Sequence, residues 1–193
     1  GPAVRDGWDA GDRAVLPALR ALGVARLDRV VISHADQDHA GGWPAVRRGL
    51  PVLASLAPAG AGLAVDAPCQ GGQGWRWDGV EFRFLHPPEH FPYLRNEASC
   101  VLQVVSAHGT VLLPGDIGEV VEQRLLRAPE QLRAEVVVVA HHGSGGSWSA
   151  AFVAATGARV ALVAAGHGNR FGHPRAEVVR RWQRHGAEVL ATP

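Results

Sequence analysis

Two imidazoles and two carboxylates stand within six residues, His34-Ala35-Asp36-Gln37-Asp38-His39, directly after the apolar run Arg29-Val30-Val31-Ile32-Ser33. Nitrogen and oxygen donors packed this tightly suit one or two divalent cations. A buried strand that stops at four potential ligands, followed by Gly41-Gly42 where the backbone must turn, sets those side chains at a sheet edge facing a cleft. The chemistry to expect is metal-dependent hydrolysis. The competing role is a helix cap, for example Asp38 before a helix near Ala40; a cap uses one short polar side chain and has no need of two imidazoles.

Further polar groups recur where apolar runs end. Leu112-Leu113-Pro114-Gly115-Asp116 closes on an Asp beside a Gly turn, a carboxylate able to bridge two ions. The run Val136 to Ala140 ends in His141-His142-Gly143-Ser144. Adjacent residues of an extended segment point to opposite faces, so one histidine reaches the ion while the other supports the loop or the substrate. His142 is the preferred ligand and His141 the supporting residue. Ser144 and Gly143 offer a hydroxyl and backbone N–H groups to an anion. The loop Gly166 to Pro174 supplies Asn169, Arg170 and His173. There Arg170 would clamp substrate charge, and His173 would donate a proton to a leaving oxygen. Asn96 and Ser99 open another strand and would line the same cleft. His86, His90, His108, His167 and His185 lack ligand spacing and read as structural or exposed.

The elements that must position these groups follow from apolar periodicity. Helices are predicted over Ala14 to Leu22, Trp43 to Gly49, Glu119 to Leu126, Ser149 to Ala155 and Ala176 to His185. Strands are predicted over Arg29 to Ser33, Pro51 to Leu56, Ser99 to Ser106, Thr110 to Leu113, Val136 to Ala140, Val160 to Ala164 and Glu188 to Ala191. Asp78-Gly79 between Trp75-Arg76-Trp77 and Val80 to Phe84 signals a hairpin. Ala57 to Gly74, rich in Ala, Gly and Pro, reads as a loop. Hairpins together with strand–helix units predict an α/β layered sandwich, two packed sheets with helices outside.

With 193 residues and 47% hydrophobic content the chain can bury one core, so a single domain over 1–193 is expected. No apolar run approaches the roughly 18 residues of a membrane span. A net charge of +1 argues against a surface that is basic throughout, although Arg47-Arg48 or Arg180-Arg181-Arg184 can touch phosphates or sit as solvated helix faces. The absence of Met and the opening Gly1-Pro2 suggest a piece of a longer polypeptide. Cys69 and Cys100 make no zinc-finger pair; a disulfide and two buried thiols both fit.

The motif His34-x-Asp36-x-Asp38-His39, with Asp116 and His142 downstream, resembles that of the metallo-β-lactamase-fold hydrolases. With Asn96-x-x-Ser99-Cys100-Val101-Leu102, Leu113-Pro114-Gly115-Asp116-Ile117, His141-His142-Gly143-Ser144 and Asn169-x-Phe171-Gly172-His173-Pro174, it resembles more narrowly the C-terminal domain of ComEC-type DNA-uptake channels. That resemblance implies an αββα sandwich whose two opening strands are missing from this sequence. It implies His34, Asp36, Asp38, His39, Asp116 and one of the paired histidines as metal ligands. It also implies a nuclease acting on the strand that is not imported, with single-stranded DNA and the membrane channel of the same polypeptide as partners. The setting would be the extracytoplasmic side of a bacterial inner membrane. The broader fold usually has His at the second motif position; Asp36 makes the site richer in oxygen and favours Mn²⁺, with Mg²⁺ or Zn²⁺ as alternatives. In the expected mechanism two ions share Asp116, Asp36 or Asp38 orients the nucleophile, and His173 assists the leaving group. The alternatives are a non-catalytic module guiding DNA and a small-molecule phosphodiesterase of the same fold.

Overall fold

Alternation of side chains along the strands decides the layering. The computed structural model describes residues 2, 9–166 and 168–192, so His167 lies outside the described residues. In chain order, a π-helical turn (Gly11–Val15) leads into α1 (Leu16–Ala21), then β1 (Val30–Val31), α2 (Gln37–Ala40), α3 (Trp43–Gly49), β2 (Ser55–Pro58) and β3 (Ala67–Cys69). The second part runs β4 (Gly74–Trp77), β5 (Val80–His86), β6 (Val101–Ser106), β7 (Gly109–Leu113), α4 (Glu119–Leu125), β8 (Val136–Val138), α5 (Ala150–Thr156), β9 (Val160–Val163), α6 (Ala176–Arg184) and β10 (Glu188–Ala191).

Among the described residues, the first three strands form a parallel sheet, and the other seven form a sheet in the order β10-β9-β8-β7-β6-β5-β4. Strands β7 to β10 are parallel, whereas β4 to β7 are antiparallel. Val30 packs outward with Trp43 and Val46 of α3, while Val31 points inward to the layer of Phe84 and Leu102. In the long sheet Val101 and Leu112 turn to Val121, Phe152 and Trp182 of the covering helices. Their neighbours Leu102 and Leu113 face the short sheet. Helix, sheet, sheet, helix is therefore the layer order, the expected αββα sandwich.

Cys69 at the end of β3 and Cys100 just before β6 form a disulfide, with Cα atoms 6.0 Å apart. Of the two roles open for these residues, the cross-link is the one adopted, and it ties the short sheet to the long one.

Several elements differ from their predicted extents. The Arg29 to Ser33 strand contracts to two residues because Ser33 and His34 turn away into the donor loop. Pro51 to Leu56 pairs only through a Leu27–Val52 bridge until β2 begins at Ser55. The stretch read as a loop contains β3, an edge strand that tolerates Pro68 because its outer side needs no ladder donor. The first helix opens as a π turn at Gly11, ahead of the predicted start. The Asp78-Gly79 hairpin forms as expected, with φ of 46° and 82°.

Candidate metal centre

All parallel strands of the long sheet end at one rim, and the loop after β1 meets them there. Asp116 follows β7, His142 follows β8, and the one-turn helix α2 carries Asp38 and His39. One donor atom from each of Asp38, His39, Asp116 and His142 lies within 4.8 Å of the others. His142 Nε2 is 3.0 Å from Asp38 Oδ2 and 3.8 Å from Asp116 Oδ2, and His39 Nε2 is 3.2 Å from Asp116 Oδ1. Two imidazole nitrogens and two carboxylates are a donor set for a divalent cation.

The rings are oriented from behind. His142 Nδ1 donates to the Ala164 carbonyl at 2.6 Å, and His39 Nδ1 pairs with Ser33 Oγ at 2.8 Å, which leaves both Nε2 atoms turned to the group. Such outer partners fix tautomer and ring orientation at metal sites. Ser99 Oγ accepts from the Asp116 N–H at 3.1 Å and sits 3.4 Å from His34 Nδ1. Asp116 Oδ1 also accepts the backbone N–H of His141 at 3.2 Å. Gly115 is required in this packing: its φ is +62°, and a Cβ there would lie 2.7 Å from the Ser99 Cβ.

Electrostatics follow from the crowding. The hydrogen bond that His142 donates to Asp38 raises His142 to about 9, and the same contact holds Asp38 well below the ordinary carboxylate range. Burial pushes the Asp116 carboxyl up, but the hydrogen bond and charge of His39, joined by His142 and His34, carry it below its usual value. Burial, with His39 close by, lowers His34 to about 4. At neutral pH His142 therefore holds a proton that a bound cation would replace, a form of competition common to histidine ligands.

The residues singled out from sequence fall into distinct places. Asp38, His39, Asp116 and His142 converge. The alternative of Asp38 as a cap near Ala40 does not hold, since α2 already begins at Gln37 and the Asp38 carboxylate turns to His142. His34 lies beside the group, its ring 4.1 Å from that of His39, and its buried Nε2 has no hydrogen-bond partner. Asp36 precedes α2 and is turned to Arg95, which takes both its oxygens. His141 and His142 are not extended: their φ values of 50° and 54° are left-handed, so alternation of faces does not choose between them. What chooses His142 is the Ala164 carbonyl that steers its ring.

His173 lines a pocket shared with Asp38 and His142; burial, then Arg175, lowers its pKa. Asn169 spends its side chain within its own loop, donating to the Gly166 and His173 carbonyls and accepting the His173 N–H. Arg170 stacks 4.9 Å over Phe171. The Ser144 hydroxyl is buried without a partner, and Asn96 sits in the short 3-10 turn Arg95–Ala98. Ser99 is fully buried, which makes it a support for His34 and Asp116.

Sequence reasoning passed over Ser33, Arg95, Tyr93 and Glu122. Tyr93 is the only tyrosine in the chain, and its hydroxyl accepts the Ala35 N–H at 2.8 Å. Glu122 is fully buried and accepts the backbone N–H groups of Trp148 and Ser149, fastening the loop after His142 to α4. A Glu on the inward face of an amphipathic helix was the available signal.

Comparison with known proteins agrees with this geometry. The profile of the Metallo-beta-lactamase superfamily matches residues 7–167. Competence protein ComA of Neisseria gonorrhoeae is 36% identical over 190 residues, covering 95% of this chain and 26% of that protein. ComE operon protein 3 of Bacillus subtilis (strain 168) is 29% identical over 201 residues, covering 96% of this chain and 26% of the relative. The chain thus spans about a quarter of the length of these relatives. The crystal structure of the metallo-beta-lactamase fold protein YhfI from Bacillus subtilis superposes with a TM-score of 0.56 at 15% identity, covering 93% of this chain and 81% of that one, a likeness of fold. Among the described residues no helix is long and apolar enough to cross a membrane.

Proposed function

This chain belongs to the metallo-beta-lactamase superfamily, and from that premise we propose that it is a metal-dependent phosphodiesterase, the nuclease domain of a DNA-uptake protein that degrades the strand not imported. The observation that carries the reading is the convergence of Asp38, His39, Asp116 and His142 donor atoms within 4.8 Å at one rim. These four would hold the first ion, with His34 and Asp36 as further ligands; the oxygen-rich set favours Mn²⁺ over Zn²⁺ or Mg²⁺. A bound divalent ion supplies charge to polarise a phosphoryl oxygen and to make water a better nucleophile near neutral pH.

The chain's own side chains do the rest. Asp38, half-exposed at the mouth of the rim, orients the attacking water. His173 stands on the wall of the same pocket, where its neutral imidazole offers an N–H hydrogen bond to the departing oxygen. Arg170, on the exposed part of that loop, receives phosphate charge. Names of relatives that cover 95% and 96% of the chain support a place in DNA uptake, with single-stranded DNA as substrate and a channel in the same polypeptide as neighbour. The Cys69–Cys100 disulfide supports an oxidising, extracytoplasmic setting.

The test is to incubate the 193-residue chain with end-labelled single-stranded DNA and Mn²⁺, with and without chelator. The reading expects cleavage that the chelator stops and that Asp38→Ala reduces on the order of a thousandfold. Binding without turnover would support a DNA-guiding module instead. Hydrolysis of bis(p-nitrophenyl) phosphate with no DNA cleavage would support a small-molecule phosphodiesterase.

A further inference from the structure

The 3-10 turn Arg95–Ala98 lies against the donor loop. Arg95 spreads its guanidinium over Asp36: Nη2 donates to Oδ1 at 3.1 Å and to Oδ2 at 3.0 Å, and Nε donates to Oδ1 at 3.2 Å. Both carboxylate oxygens are therefore occupied by a cation of the protein's own. Two residues earlier, the Tyr93 hydroxyl holds the Ala35 N–H, so one short segment grips the loop at consecutive residues. Beneath that grip His34 Nε2 is buried, lacks a partner, and lies 4.0 Å from Asp36 Oδ2. A buried imidazole nitrogen without a partner, set beside a carboxylate, is an incomplete cation site.

We propose that Arg95 is a positioning residue that sets how many ions the rim takes. With Asp36 clamped, Asp38, His39, Asp116 and His142 accept one ion, and the second pair of donors, His34 Nε2 and Asp36, stays closed until the guanidinium lets go. This inference rests on the metal-binding reading above and adds to it an order of loading. The physical basis is competition. A carboxylate held by a planar fork has its charge offset and three of its roughly four lone-pair sites engaged, so a second ion must compete with the fork for Asp36. Lysine cannot reproduce that grip, having a point charge with no fork. The residue also sits at φ +53°, a left-handed conformation that Gly adopts without cost.

The experiment is calorimetric titration of MnCl₂ into the chelator-stripped chain for wild type, Arg95→Lys and Arg95→Gly, with electron paramagnetic resonance to detect spin-coupled Mn²⁺ pairs. Arg95→Gly suits the backbone angle and removes the clamp, and circular dichroism checks its fold. The wild type should bind one ion tightly and a second more weakly. In Arg95→Gly the second ion should bind about two- to fivefold tighter, the worth of a solvent-exposed ion pair, with Arg95→Lys between the two. The first ion should be unchanged, the coupled signal should appear at lower Mn²⁺, and adding Asp36→Asn to Arg95→Gly should cancel the gain. Equal second-ion affinity in all three proteins, or a single ion in all three, overturns the clamp while the metal centre stands. No ion bound by the wild type overturns both.

Discussion

The long sheet delivers Asp116 and His142 from β7 and β8, whose Leu112 and Val137 are fully buried in the main core, whereas the short sheet delivers Asp38 and His39 from a one-turn helix hung on the two-residue strand Val30–Val31. Behind the first pair stand Trp148, Phe152 and Trp182, all fully or almost fully buried. Behind the second pair stand mainly Trp43, Val46 and Ala57, with the Cys69–Cys100 bridge and the Cys100 N–H bonded to the Ser33 carbonyl at 2.9 Å. One half of the centre is therefore positioned by its own core, and the other by its attachment to that core. Folding stability and ion binding should respond differently when each half is disturbed.

The largest effect is expected in the long half. Trp182→Ala removes a ring whose centroid lies 4.9 Å from that of Trp148, the two planes tilted by 59°, and should cost about 3–5 kcal/mol, seen as a lower urea midpoint for the whole chain. Uncoupled melting, with the donor loop lost first, would contradict the picture of the long half as the foundation. Next comes the attachment. The disulfide closes a separation of 31 residues, and Cys69→Ala with Cys100→Ala should cost roughly 3–4 kcal/mol by chain entropy. Unlike Trp182→Ala, this variant should also lose Mn²⁺ affinity under conditions where it is still folded. Unchanged affinity would mean that the short sheet holds its donors without the tie.

The smallest is a pH effect. His86 is fully buried and donates from Nε2 to the Glu97 carbonyl, and burial lowers its pKa to about 4 from the ordinary 6.5. Between those values the unfolded chain binds the proton that the folded chain refuses. The His86 contribution to stability is thus fully present above pH 6.5 and is lost as the pH drops toward 4, by roughly 2–3 kcal/mol. His86→Gln keeps a donor for Glu97 and removes the ring, so urea midpoints measured from pH 7 to 4 should fall less steeply than in the wild type. Equal slopes would place the acid sensitivity elsewhere.

How much was legible beforehand depends on the range of the forces involved. The donors His39, Asp38, Asp116 and His142 could be read because each sits at the end of an apolar run, and parallel strands send their ends to one rim. The hairpin at Asp78-Gly79 was legible because two residues dictate the turn. Arg95 and Tyr93 were not, since their grip on Asp36 and Ala35 joins segments almost sixty residues apart and leaves no local pattern. The left-handed pair His141 and His142 was misread as extended because two neighbouring non-Gly residues with positive φ run against intrinsic preference and persist only where surrounding contacts enforce them. β3 was hidden by Ala, Gly and Pro, residues whose low strand propensity is overridden by pairing with β2.

The central claim is that side chains from both sheets share one cation. Anomalous diffraction from a crystal soaked in Mn²⁺ tests it most directly. The account predicts a peak bounded by His39, Asp38, Asp116 and His142, with His142 still anchored through Nδ1 to Ala164. An ion held elsewhere, or by donors of one sheet alone, would contradict it.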